Sequence, residues 1–124
     1  MLPRVLVADD DPVVRHVLRR LLTSACKCVV DEAADGAEVM RAVTKTNYRL
    51  VLLDLRMPVV DGLATLGQIR STPTLAELPV VVLTANRGDD VVRKALQMGV
   101  TDYLVKPLTP AVADRLGRLI TSEE

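Results

Sequence analysis

The sequence predicts an α/β protein: one doubly wound, five-stranded parallel sheet with helices on both faces. Three observations carry this. Short runs such as RVLVA (residues 4–8), LVLL (50–53) and VVVL (80–83) are continuously apolar, as strands buried on both faces are. Between the runs, apolar residues recur at spacings of three and four, the mark of helices with one buried face. Strand and helix patterns alternate without exception, which calls for parallel strands joined by right-handed crossovers. A chain of 124 residues has the length of one domain.

Taken in order, the first strand runs from Arg4 to Ala8 and ends in Asp9-Asp10-Asp11-Pro12. Pro12 suits a first helical position and the aspartates suit a helix N-terminus. Val14, Val17, Leu18, Leu21, Leu22 and Ala25 give the inner face of that helix, and Arg15, His16, Arg19 and Arg20 its solvated outer face. Cys28-Val29-Val30 is a weaker second strand, ending near Asp31-Glu32-Ala33, and Asp35-Gly36 opens a helix with Val39, Met40 and Val43 inward. Leu50 to Leu53 is the third strand. Asp54 stands at its carboxyl end, because an ionised carboxylate inside a buried strand is costly. Pro58 and Gly62 mark the loop before a third helix with Leu63, Leu66 and Ile69 inward, weakened by Gly67 and broken before Pro73. Val80 to Leu83 is the fourth strand, ending in Thr84-Ala85, and Val91, Val92, Ala95 and Leu96 belong to a helix with Gly99 at its C-cap. Thr101 to Val105 is the fifth strand, ending in Lys106-Pro107. Thr109 and Pro110 then open a last helix with the stripe Val112, Leu116, Leu119 and Ile120. The usual strand order at this size is 2-1-3-4-5, as in flavodoxin-like folds.

Composition narrows the function. Sixteen basic and sixteen acidic residues cancel, which offers no electrostatic case for nucleic acid or a membrane surface. No run approaches the ~20 apolar residues of a membrane span, and Met1-Leu2-Pro3-Arg4 is read as leading straight into a strand rather than into the apolar core of a signal sequence, so the expected location is the cytoplasm. Cys26 and Cys28 are too few for a zinc site or a disulfide framework and are read as packing residues. With neither Phe nor Trp, only Tyr48 and Tyr103 remain to stack on a flavin. Tyr48 is read as loop packing and His16 as a solvated residue.

In a 2-1-3-4-5 sheet, ligands gather at the carboxyl ends of the strands. Those ends bring together Asp9 and Asp10, then Asp54, Thr84 and Lys106. Clustered carboxylates raise the cost of ionising one another. A hard divalent cation relieves this, and Mg²⁺ typically binds through one or two carboxylates plus waters and phosphate oxygens. Lysine adds a point cation and threonine a hydroxyl donor. The set suits phosphoryl transfer onto Asp54, a chemistry that needs chiefly positioning and charge neutralisation.

The segments VLVADDDP, EAADG, LVLLDLRMPVVDG, PVVVLTA and DYLVKPL, in this order and across essentially the whole chain, resemble the receiver domain of two-component response regulators. The resemblance implies that residues 1–124 form one receiver domain; no output domain is read within this sequence, which fits either a stand-alone receiver or one excised from a longer regulator or hybrid kinase. It implies Asp54 as phosphoacceptor, Asp9 and Asp10 as the metal-binding acidic pair, and the Arg56 carbonyl as a further ligand for Mg²⁺, for which Mn²⁺ can substitute. It also implies Thr84 and Lys106 as phosphoryl contacts, and Tyr103 as a switch aromatic that alters the face of the fourth helix, fifth strand and fifth helix. Arg56 and Asn86, two residues beyond Asp54 and Thr84, flank the phosphoryl site and are the candidates for setting its lifetime. Asp11 needs only a helix-capping role. Val60 and Leu108 depart from the commonest family residues but remain apolar. The partners implied are a sensor histidine kinase or histidine phosphotransfer protein, and a downstream protein rather than nucleic acid or membrane. The chain is expected to be a monomer or a weak, phosphorylation-dependent dimer.

Two other readings fit the architecture. An aspartate-nucleophile phosphohydrolase of the dehalogenase type would carry an acid two residues after the nucleophile, where this chain has Arg56. A flavin-binding electron carrier would carry a Gly/Ser/Thr-rich phosphate loop after the first strand, where three aspartates stand.

Overall fold

Five parallel strands pair in the order β2-β1-β3-β4-β5, the order expected. They are β1 (Arg4–Ala8), β2 (Val29–Ala33), β3 (Leu50–Asp54), β4 (Val80–Thr84) and β5 (Asp102–Val105). The crossovers are α1 (Pro12–Ala25), α2 (Gly36–Lys45), α3 (Gly62–Ser71) and α4 (Asp90–Gln97), and α5 (Pro110–Thr121) closes the fold. A 3-10 turn, Pro73–Leu75, follows α3 where Pro73 ends it. The structure is a computed structural model and describes residues 2–57, 61–85 and 90–121.

The central strands β3 and β4 are buried at every position, and their side chains alternate between two apolar layers. One layer joins Leu6, Val51, Leu53 and Val82 to Val39 and Val43 of α2, Leu66 and Ile69 of α3, and Val92 and Ala95 of α4. The other joins Val7, Leu52, Leu83 and Leu104 to Leu18 and Leu22 of α1 and to Leu116 and Ile120 of α5. Helices thus cover both faces, as β3's lack of a polar face requires.

Aspartates start three of the helices. The Val13 N–H donates to Asp11 Oδ1 at 2.9 Å, Glu38 N–H to Asp35 Oδ1 at 2.9 Å, and Ala64 N–H to Asp61 Oδ1 at 2.8 Å. Each satisfies a backbone donor that the first turn leaves without a partner. Thr109 does the same for α5, accepting from Val112 N–H at 3.3 Å. Gly99 follows α4 with φ +84°, the left-handed conformation that ends helices and favours glycine.

Several expectations need correction. Val17 and Leu119 are 47% and 36% exposed rather than inward. Each lies beside a residue that does seat, Leu18 and Ile120, and consecutive helical positions point about 100° apart. The contact with the sheet is narrower than the apolar stripe. Arg15 is not part of a solvated face: its side chain is 16% exposed and paired. Tyr48 packs against the α2–α3 layer, as expected of a loop residue, but its hydroxyl also donates to Asp31 Oδ2 at 2.7 Å. Burial, then the hydrogen bond and charge of Asp31, push the Tyr48 phenol up to about 12. Cys28 is buried and Cys26 half-buried, in keeping with packing roles. His16 is exposed.

Candidate functional site

Side-chain alternation decides which groups meet at the carboxyl edge. Val7 and Leu52 face α1 and α5, so Asp9 and Asp54, each two residues further on, face the same way. Lys106 stands in the same relation to Leu104. These three side chains converge. The Lys106 ammonium donates to Asp9 Oδ2 at 2.6 Å and to Asp54 Oδ2 at 3.2 Å. Asp10, exposed, joins them: carboxylate oxygens of Asp9, Asp10 and Asp54 lie within 4.8 Å of one another. Thr84, buried at the end of β4, has the opposite parity and faces the α2–α4 layer from the same edge.

The turns that carry these groups are held by the groups themselves. Asp9 Oδ1 accepts the Asp11 N–H at 3.0 Å, and Asp54 Oδ1 accepts the Arg56 N–H at 3.0 Å. Each strand-end aspartate therefore folds its own following loop back onto itself. Asp9 and Asp54 are nearly inaccessible. Burial pushes the Asp54 carboxyl above the ordinary carboxylate range. The Arg56 N–H opposes this, the charge of Asp9 adds to it, and Lys106 opposes it. Burial would pull the Lys106 ammonium down, but its hydrogen bond to Asp9 and the charges of Asp54 and Asp9 prevail and raise it.

Among the described residues, three carboxylates meet in this corner with the Lys106 ammonium between two of them. Their oxygens are close enough to share one small cation, and an all-oxygen donor set suits Mg²⁺ or Mn²⁺. The residues present fit such an ion.

Tyr103 pairs with Val82, two residues before Thr84, and packs half-buried against the α2–α4 layer. It therefore shares a sheet face with Thr84, one step back from the edge. Arg56 is exposed beside Asp54. Asn86 lies outside the described residues, as does Val60. Sequence reasoning missed Arg15, whose Nη1 donates to the Asp9 carbonyl oxygen at 2.6 Å while its Nε donates to Glu32 Oε1 at 2.9 Å. It also missed that Lys106 lies closer to Asp9 than to Asp54.

The model of the response regulator receiver domain matches residues 5–115. The chain belongs to the response regulator receiver family. Its relatives include the DNA-binding transcriptional regulator NtrC of Escherichia coli K12, 42% identical over 104 residues, which cover 83% of this chain and 21% of NtrC. The chemotaxis protein CheY4 of Vibrio cholerae has a similar structure: TM-score 0.86, 27% identity, 96% of this chain and 99% of that one. So has the receiver domain of the sensor histidine kinase PA1611 of Pseudomonas aeruginosa PAO1, which has a magnesium ion coordinated in its active-site cleft: TM-score 0.87, 31% identity, 97% of this chain and 98% of that one. The chain spans 13% of the length of one curated relative, the gliding motility regulatory protein of Myxococcus xanthus, and 43% of another, the transcriptional regulatory protein ResD of Bacillus subtilis. Receiver domains are phosphoacceptor signalling switches of two-component systems, regulatory rather than metabolic. Among the described residues of this one, no helix is long and apolar enough to cross a membrane.

Proposed function

We propose that Asp54 accepts a phosphoryl group from a phosphohistidine of a sensor histidine kinase or histidine phosphotransfer protein. The observation that carries this is the corner where Asp54, Asp9 and Asp10 share a 4.8 Å cluster with the Lys106 ammonium on Asp54. Asp9, Asp10, Asp54 and the Arg56 carbonyl would hold Mg²⁺, or Mn²⁺ in its place. Such a cation, when bound, offsets the charge that carboxylates and phosphoryl oxygens bring together.

An Asp54 carboxylate oxygen attacks phosphorus, the new O–P bond forms as the P–N bond to the histidine breaks, and the imidazole leaves with that electron pair. Lys106 neutralises part of the acyl phosphate charge, and the Thr84 hydroxyl donates to a phosphoryl oxygen. Drawing Thr84 toward phosphorus frees space on the face it shares with Tyr103. Tyr103 then turns inward and remodels the surface of α4, β5 and α5, provided the phosphoryl group prefers one of two existing states. An apolar cavity of about 200 Å³ lies against Lys106, Pro107 and Leu108, rimmed by Val13 and Val17 of α1. An apolar surface beside the acceptor suits a protein donor.

Acetyl phosphate with Mg²⁺ should add one phosphoryl group by intact-mass spectrometry, and Asp54→Asn should remain unmodified. Equal labelling of that variant would move the acceptor elsewhere. Hydrolysis requires water to approach phosphorus opposite the Asp54 oxygen, and Arg56, exposed beside Asp54, is the described residue that could border that path. Arg56 is long, permanently charged and rich in donors. Arg56→Ala should speed first-order loss of the phosphoryl group at saturating Mg²⁺; unchanged or slower loss excludes a shielding role.

A further inference from the structure

We propose that Arg15 is a positioning residue for the Asp9–Asp10 corner, acting through the main chain; the proposal rests on the cation reading above. The peptide unit that links Asp9 to Asp10 is clamped at its oxygen by Arg15 Nη1 at 2.6 Å. The Asp9 N–H donates to the Ala33 carbonyl of β2 at 3.1 Å, so the main chain of Asp9 is held on both sides. Arg15 is itself fixed. Its Nε donates to Glu32 Oε1 at 2.9 Å, and the other Glu32 oxygen is taken by Arg19. Glu32 stands one residue before Ala33 at the end of β2, the strand that pairs with β1. The end of β2 thus reaches the acidic corner twice, once through its backbone and once through the Glu32–Arg15 pair.

Asp10 needs this most. It is exposed, and its Cα is attached directly to the clamped peptide plane, so the direction of its carboxylate depends on that plane. Asp9 is anchored in addition by Asp11 N–H and Lys106. The fork geometry matters here: one guanidinium serves Glu32 with Nε and the carbonyl with Nη1, which an ammonium on a flexible stem cannot reproduce.

Position and charge give opposite signs. A cation beside an acidic corner disfavours a second cation, so a purely electrostatic Arg15 would weaken Mg²⁺ binding and its removal would tighten it. A positioning Arg15 strengthens binding, and its removal loosens it whatever the charge. The test is calorimetric titration of the protein with Mg²⁺ alone, well below its melting temperature, for wild type, Arg15→Lys, Arg15→Gln and Glu32→Gln. Arg15→Lys, which keeps the charge, should raise Kd by roughly tenfold, the lower end of what removing a supporting hydrogen bond at a metal site does. Arg15→Gln should also raise Kd despite losing a positive charge, and Glu32→Gln should raise it by a smaller factor. In metal-free Arg15→Lys, the Asp10 amide NMR signal should move while those of β4 remain in place. An unchanged Kd in Arg15→Lys, or a tighter one in Arg15→Gln, overturns the role of Arg15 and leaves the cation reading standing. A wild type that takes up no Mg²⁺ overturns both. Should Arg15→Gln fail to fold, Arg15→Lys and Glu32→Gln decide the matter.

Discussion

Asp54 is an ionisable group at the last position of a strand that is buried throughout, and its protonation is coupled to folding. Burial raises its folded pKa above the unfolded value of about 3.9. Wherever the carboxylate is charged in both states, the folded state bears the penalty. As pH falls through the raised folded value the folded protein takes up its proton first and the penalty fades; below the unfolded value it is gone. Asp54→Asn, permanently neutral, should therefore be more stable than wild type in metal-free buffer at pH 7. The gap should shrink as pH falls toward 4. Urea denaturation across that range measures it, and a gap that widens on acidification would show that Lys106 and the Arg56 N–H outweigh burial. The carboxylate of Glu32 behaves in the opposite way. Its burial is outweighed by hydrogen bonds from Arg19 and Arg15, and its pKa is lowered. Its contribution is lost only as pH drops below the ordinary carboxylate range.

At the scale of elements, two glycines of α3 show how differently the same residue can be used. A Cβ on Gly62 would lie 2.5 Å from both the Asp54 carbonyl oxygen and Leu55 Cα, atoms of the backbone that presents the site. The N-terminus of α3 can rest against the end of β3 only because that carbon is missing, and the Gly62 N–H donates to the Leu55 carbonyl at 3.2 Å. A Cβ on Gly67 would meet only the Met98 Cε, at 3.4 Å, an ordinary contact with a flexible side chain. Gly62→Ala should destabilise the fold by about 3 kcal/mol, the upper part of the range for overpacking. Gly67→Ala should stabilise it by up to about 1 kcal/mol through helix propensity. Chemical denaturation of the two variants gives both numbers, and Gly62→Ala within 0.5 kcal/mol of wild type (roughly the range of neutral surface changes) would exclude the close approach. Gly67, a weak point in the sequence pattern, is thus a place where the helix can be improved.

Over the whole molecule, the acidic corner opposes folding as long as its carboxylates face one another with one ammonium between them. A ligand that binds only the folded state stabilises it by mass action. Mg²⁺ at a hundred times its Kd should add about 2.7 kcal/mol, seen as a higher melting temperature, and Asp10→Ala should largely remove the effect. A melting curve indifferent to Mg²⁺ in wild type would count against the cation site.

What was legible in the residues was whatever depends on short spacings. The apolar runs at 50–53 and 80–83 could only be strands covered on both faces, because they offer water no polar face. Asp54 had to stand at a strand end, because desolvating a carboxylate costs more than a strand position returns. Strict alternation of elements implied a parallel sheet, the order usual at this size supplied 2-1-3-4-5, and that order brought Asp9, Asp54, Thr84 and Lys106 to one edge. Tertiary structure decided what depends on angles and on partners far apart in the chain. It left Val17 and Leu119 outside, because the sheet touches a narrower arc of each helix than the apolar stripe covers. It put the Lys106 ammonium nearer to Asp9 than to Asp54, a difference of 0.6 Å between the two contacts of 2.6 and 3.2 Å that no spacing encodes. It also turned Arg15 from a solvated side chain into a clamp on the Asp9 carbonyl, because the pairing of β2 with β1 brings Glu32 within reach. A side chain's own sequence neighbourhood states its polarity; only the packed neighbours determine which charge it answers to.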